Sequence, residues 1–135
     1  MNKRTKALFY DIDGTLLSEK TGRVPDSARQ ALQEARSRGR LVFINTGRVY
    51  CHLVSIRSQV EADGFLCGCG THVVAQGQGL YSHHIPHERG LKIKRDIDEC
   101  GLDGALEGTE GCYFHRTVSA IPGIEELKAS VRGAG

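Results

Sequence analysis

A chain of 135 residues is long enough to bury a respectable core, and its length alone suggests one domain. With 39% hydrophobic and 25% charged residues, it has the composition of an ordinary soluble protein. The net charge of +2 is too small to indicate nucleic acid or an anionic membrane as a partner.

The first predicted elements are a strand and a helix. Residues 7–10 form an apolar run, Ala-Leu-Phe-Tyr, that is typical of a parallel strand buried on both faces. A polar loop follows over residues 11–15, Asp-Ile-Asp-Gly-Thr. Pro25 begins a predicted helix that ends at Gly39, and its apolar residues recur at helix spacing. These are Ala28, Ala31, Leu32 and Ala35.

A second strand and helix repeat this order. Residues 41–44 predict another buried strand, the loop Asn-Thr-Gly-Arg follows at 45–48, and residues 49–60 predict a helix. The alternation favours an α/β fold with a Rossmann-like parallel sheet. Right-handed crossovers place both polar loops at the carboxyl edge of that sheet, where ligands of such folds bind.

The remaining predicted elements divide near residue 83. Before it come a short strand at 65–67 and a hairpin over 73–81. After it come an amphipathic stretch at 88–100, two short strands and the start of a helix at Pro122. We therefore expect a core domain over residues 1–82 and part of a second α/β domain over 83–135.

The first polar loop carries two carboxylates, Asp11 and Asp13. Strand periodicity directs both to one side while Ile12 points the other way. Carboxylates so close repel each other unless a cation lies between them, and Mg²⁺ suits oxygen ligands. An aspartate can also attack phosphorus, while a second one transfers protons. Turn or capping aspartates are the plain alternative; an EF-hand is excluded because Lys20 stands where its glutamate is required.

The second polar loop offers groups that bind phosphate. The Thr46 hydroxyl and the backbone N–H groups around Gly47 precede a helix, and Arg48 adds a cationic contact. By itself this loop is also compatible with ordinary helix capping. Its position one crossover after the first loop favours the functional interpretation.

Together these segments resemble a known family, the haloacid dehalogenase-like hydrolases. Residues 9–17, Phe-Tyr-Asp-Ile-Asp-Gly-Thr-Leu-Leu, are similar to its first signature, and residues 43–48 are similar to its second. Residues 24–35 and 63–71 resemble the Cof-like branch, in which a large α/β cap follows the second motif. The resemblance implies a phosphatase that hydrolyses small phosphorylated metabolites, with Mg²⁺ as cofactor.

The resemblance also implies roles for matching residues. Asp11 corresponds to the nucleophile and a magnesium ligand. Asp13 corresponds to the general acid/base and binds the metal through its backbone carbonyl. Thr46 and Gly47 correspond to binders of the transferring phosphoryl group, and Arg48 to a phosphate or substrate contact.

Two further family motifs find no match: a lysine in the third motif and an acidic fourth motif, both located after the cap. We therefore expect this chain alone to have little activity, and to self-associate or pair with a missing C-terminal part. The alternatives are a non-catalytic binding or regulatory fragment and a phosphomutase, which also forms an aspartyl-phosphate.

Other possible sites have plainer interpretations. His83, His84 and His87 could bind zinc but are more typical of an exposed linker. Cys67 and Cys69 are separated by one residue, too few for a usual zinc pair, which favours packing near the sheet edge. The short apolar start predicts no secretory signal or membrane span. We therefore expect a cytoplasmic protein whose five cysteines are free thiols.

Overall fold

The computed structural model describes residues 6–132. Residues 1–5 and 133–135 lie outside the described residues. The first of these ranges belongs to the start of the chain, for which the sequence predicts no signal. Within the described range, no helix combines the length and the apolar character needed to cross a membrane.

The described elements follow the predicted alternation of strands and helices. Two of these elements are short 3-10 helices, Tyr50–Leu53 and Gly68–Gly70. The other elements are β1 Ala7–Tyr10, α1 Asp26–Ser37, β2 Leu41–Asn45, α2 Val54–Gln59, β3 Gly64–Cys67, β4 His72–Ala75, β5 Gln78–Ser82, α3 His87–Glu99, β6 Ala105–Glu107, β7 Cys112–Phe114 and α4 Pro122–Arg132.

The larger sheet has five strands in the order β1-β2-β3-β4-β5. Strands β1, β2 and β3 are parallel, with Tyr10 beside Ile44 and Asn45 beside Leu66. Strands β4 and β5 add an antiparallel hairpin. The predicted α/β fold is confirmed, and the parallel register brings the ends of β1 and β2 to one edge.

One face of this sheet carries the core. Because β1, β2 and β3 lie side by side in chain order, right-handed crossovers bring α1 and α2 to the same face. Their apolar side chains pack on alternate residues of β2. This core consists of Ile12, Leu16, Val24, Leu32, Val42, Ile44, Leu53, Ile56, Val60 and Cys67.

The prediction that β1 is buried on both faces was wrong for the described residues. Phe9 points to the face opposite the helices, is 57% exposed, and stacks on Phe43 at 5.1 Å between ring centroids. An apolar run shows which residues can be buried, but it does not show which face of the sheet the helices cover. Here both crossover helices cover the face opposite Phe9. Strand β1 also lies at the end of the strand order, paired with β2.

The predicted continuous helix over residues 49–60 was also wrong in detail. The segment opens as the 3-10 helix Tyr50–Leu53 and becomes α-helical at Val54–Gln59. Such tight turns are common at helix N-termini. Leu53 and Ile56 are nonetheless buried as the apolar pattern predicts.

An ion pair ties α1 to the chain before β3. Arg36 donates to both carboxylate oxygens of Asp63, from Nε at 3.2 Å and from Nη2 at 3.1 Å, and the Val42 amide donates to the same carboxylate at 2.8 Å. Burial alone would raise the pKa of Asp63, but these hydrogen bonds and the Arg36 charge outweigh it and lower the pKa below its usual value. Asp63 thereby connects α1, β2 and the start of β3.

Gly64 is required where the Phe43 ring lies over β3. A Cβ at this position would lie 2.7 Å from a Phe43 ring carbon and 2.7 Å from the Val74 carbonyl oxygen. We expect Gly64→Ala to lower the free energy of unfolding by about 1–3 kcal/mol, the usual cost of overpacking. Denaturant unfolding followed by circular dichroism measures this change.

Gly79 provides the matched control, because it also lies in a strand but a Cβ there would meet no atom within 4 Å. Gly79→Ala should change the free energy of unfolding by no more than about 0.5 kcal/mol. Equal effects of the two substitutions would contradict the close approach at Gly64.

The second sheet pairs β6 and β7 in antiparallel register, with Ala105 beside Phe114. Helix α4 is anchored near it by Lys128, a buried lysine whose ammonium donates to Glu125 at 2.7 Å and to the Arg116 carbonyl at 2.9 Å. The division into residues 1–82 and 83–135 stays a prediction.

Candidate functional site

The loop after β1 presents two carboxylates to solvent. Ile12 is fully buried, and its carbonyl accepts hydrogen bonds from the amides of Leu16 at 3.0 Å and Leu17 at 2.8 Å. Gly14 adopts φ +74°, a conformation that side chains resist, which lets the chain turn back here. Asp11 and Asp13, on either side of Ile12, are therefore both exposed at the carboxyl edge of the sheet.

The loop after β2 is held by the residues that follow β3. The Thr46 amide donates to the Leu66 carbonyl at 2.9 Å, and the Thr46 carbonyl accepts from the Cys69 amide at 3.2 Å. The buried Thr46 hydroxyl accepts a hydrogen bond from the Arg48 amide at 3.1 Å. These bonds fix the backbone on both sides of the exposed Gly47.

Arg48 joins the two loops across 35 residues of sequence. Its guanidinium donates to Asp13 twice, from Nε to Oδ2 at 3.0 Å and from Nη2 to Oδ1 at 2.5 Å. The Asp13 side chain is 56% exposed and that of Arg48 36% exposed, so the pair contributes roughly 0–1 kcal/mol. A contact this weak can open when another ligand offers the guanidinium a similar partner.

A cleft of about 1070 Å³ runs between this edge, the end of β6 and α4. Asp13, Gly47 and Arg48 line it, as do side chains that the sequence analysis did not identify. Asp11 is not among the lining residues, although it lies two positions from Asp13. The additional lining residues include His52, Ser55, Glu107 and Glu126.

His52 belongs to a second cluster that the sequence analysis missed. Its Nε2 lies 2.8 Å from the Cys112 sulfur, and Cys51 lies beside them. Burial raises the pKa of the Cys112 thiol to about 12, and the nearby Cys51 and Glu107 add to the rise. Cys51 and His52 follow the second polar loop directly, but no local pattern points to a partner 60 residues away.

The other predicted candidates agree only in part with the plainer interpretations, because His87 begins α3 and Cys69 is exposed. His83, His84 and His87 are all exposed, and across residues 6–132 they form no group of three close ligand atoms. Cys67 is fully buried in the core, and burial raises its pKa to about 11. All five cysteines are free thiols.

Comparison with known proteins gives consistent similarities. The curated protein named "Putative phosphatase M6_Spy0533" from Streptococcus pyogenes serotype M6 is 40% identical over 110 residues, covering 82% of this chain and 39% of that protein. The solved structure of BT1666 from Bacteroides thetaiotaomicron, a phosphatase of the HAD superfamily, is 31% identical with a TM-score of 0.74. The match covers 95% of this chain and 47% of the BT1666 chain.

The solved structure of the HAD subclass IIB sugar phosphatase BT4131 is 30% identical to this chain, with a TM-score of 0.67. The match covers 82% of this chain and 44% of the BT4131 chain. This chain thus spans less than half the length of each of these three relatives. The profile of the haloacid dehalogenase-like hydrolases matches residues 8–132, which include both polar loops and the elements that position them. On that match, which extends over nearly all of its length, the chain belongs to the haloacid dehalogenase-like hydrolase family.

Proposed function

We propose that the complete protein is a magnesium-dependent phosphatase that hydrolyses small phosphate monoesters through an aspartyl-phosphate on Asp11. The observation that carries the proposal is the meeting of two loops at one sheet edge. One loop presents Asp11 and Asp13, and the other presents Gly47 and Arg48 beside the buried Thr46. A nucleophile, a proton-transferring group and phosphate-binding donors are the parts that such a reaction needs.

The donor atoms of the first loop fit a hard divalent cation. They are oxygen atoms on exposed residues, and among the described residues the Asp11 carboxylate has no hydrogen-bond partner. Asp11 would hold Mg²⁺ through its carboxylate and Asp13 through its backbone carbonyl. When bound, the ion offsets the negative charge that the carboxylates would otherwise present to a phosphate.

The proposed reaction has two displacements at phosphorus. An oxygen of Asp11 forms a bond to phosphorus while the bond to the leaving oxygen breaks, and the Asp13 carboxyl gives its proton to that oxygen. Water then attacks the phosphorus, Asp13 takes a proton from it, and the bond between Asp11 and phosphorus breaks. The products are an alcohol and inorganic phosphate.

Arg48 would change partners during this cycle. Its two donors hold Asp13 in the structure, and two phosphate oxygens offer them a similar bidentate geometry. Arriving phosphate would thus take the guanidinium and release Asp13 for proton transfer. The Thr46 hydroxyl and the amides around Gly47 would bind the remaining phosphoryl oxygens.

The proposal extends to the substrate, the domains and the cellular location. We propose a small phosphorylated metabolite, because the cleft has the size of a small-molecule site. Residues 83–135 would form part of a cap over a core at 1–82. The edge of β1 and the exposed Phe9 would take up a second copy or a C-terminal part. The protein would work in the cytoplasm, because five free thiols suit a reducing compartment.

An assay with an aryl phosphate tests the function. The complete protein, stripped of metal by a chelator, should lose hydrolysis and recover it when Mg²⁺ is added. Acid quenching during turnover should trap a phosphoryl group on the peptide that contains Asp11. Hydrolysis without Mg²⁺ would contradict the mechanism, and phosphate binding without turnover would favour the binding-fragment alternative.

A further inference from the structure

A compact group of sulfur and nitrogen atoms lies where the 3-10 helix Tyr50–Leu53 meets the second sheet. Cys51 and His52 come from the 3-10 helix that follows the Arg48 loop, and Cys112 opens β7. One ligand atom from each of the three lies within 4.8 Å of the other two. Three potential metal ligands from distant parts of the chain converge here.

The histidine side chain of this group is largely shielded from solvent and is oriented by a neighbour. Its side chain is only 7% exposed, and its Nδ1 faces a Glu107 carboxylate oxygen 3.7 Å away. Its other nitrogen, Nε2, is therefore left facing the Cys112 sulfur at 2.8 Å. Histidines that bind metals commonly have a carboxylate on the second nitrogen, which sets the tautomer and the ring orientation.

We propose that Cys51, His52 and Cys112 bind one zinc ion, with Glu107 positioning the histidine. Two thiolates and one imidazole match the ligand preference of zinc, which takes four ligands in a tetrahedron and can hold water at the fourth position. Binding replaces the two thiol protons by the cation, so the partly buried site gains no net charge. Soft sulfur ligands disfavour Mg²⁺, so this site is chemically distinct from the oxygen atoms of Asp11 and Asp13.

The ion would fasten the second sheet to the core. Cys51 and His52 belong to the core side, directly after the loop that carries Arg48, whereas Cys112 and Glu107 belong to the β6–β7 hairpin. His52 and Glu107 also line the cleft that contains Asp13. Zinc would thereby fix the distance across the cleft without taking part in the reaction at Asp11.

Metal titration of the reduced protein tests the proposal. After removal of metal, Zn²⁺ competed against a chromophoric chelator should bind at one ion per chain. Co²⁺ in its place should give thiolate charge-transfer absorption and the visible bands of a tetrahedral ion. Cys112→Ser should weaken zinc binding by more than about 100-fold, and Glu107→Gln by about 10–100-fold.

Cys100→Ser is the matched control, because Cys100 is exposed and does not belong to the three-residue group; it should leave zinc affinity unchanged. Alkylation of the unmodified protein gives an answer that needs no variant. Zinc should protect Cys51 and Cys112, while Cys69 and Cys100 react at the same rate with and without it.

Two results would overturn the site. One is the absence of stoichiometric zinc binding by the reduced, folded protein, or binding that Cys112→Ser does not weaken. The other is a disulfide between Cys51 and Cys112 after purification without reductant, combined with no zinc binding after reduction. That result would assign the pair to redox chemistry instead.

Discussion

Asp11→Asn in the complete protein is expected to lower kcat for an aryl phosphate by about four to six powers of ten. Losses of this size occur when an enzyme that works by covalent catalysis loses a member of its catalytic group. The amide is a poor nucleophile, and it also removes the negative charge that would hold Mg²⁺. Steady-state kinetics at saturating Mg²⁺ measure the change, and the trapped phosphoryl group should disappear.

Asp26→Asn makes the same chemical change away from the site. Asp26 is exposed in the first turn of α1, and its ion pair with Arg29 at 2.6 Å is a surface contact of little weight. Its kcat should match that of the unaltered protein. If Asp11→Asn retained near-normal turnover while Asp26→Asn behaved as expected, Asp11 would not be the nucleophile.

Asp13→Asn is expected to lower kcat by about 10²–10⁴-fold for an alkyl phosphate, the usual contribution of general acid–base catalysis. An alkoxide is a poor leaving group and needs the proton that Asp13 would supply. An aryl phosphate with an acidic phenol needs no such proton in its first step, although its second step still lacks a base. Rapid-quench kinetics should then show a burst of phenol and accumulation of the phosphorylated protein.

Arg48→Met separates proton transfer from phosphate binding. Since Arg48 would contact the phosphate, its loss should affect alkyl and aryl substrates equally and should raise KM.

Equal losses for both substrates in Asp13→Asn, without accumulation of the phosphorylated protein, would contradict the role of Asp13 as general acid/base.

Local sequence determined the parts of this fold that depend on neighbouring residues. The apolar runs at residues 7–10 and 41–44 predict β1 and β2, because consecutive β-branched, aromatic and aliphatic residues pack well in a buried strand. Each run ends in a polar loop, and parallel pairing necessarily carries both loops to one edge. The proposed positions of Asp11, Asp13 and Thr46 could therefore be predicted without coordinates.

The tertiary structure alone decided which of these groups contact one another. The pairing of Arg48 with Asp13 depends on side-chain directions at the ends of two strands, and the exposure of Phe9 depends on both helices covering the other face. Neither the ion pair nor the exposure of Phe9 can be predicted from the periodicity of a single segment. The same holds for His52 and Cys112, because only the packing of the β6–β7 hairpin against the core brings residues 60 positions apart within 2.8 Å.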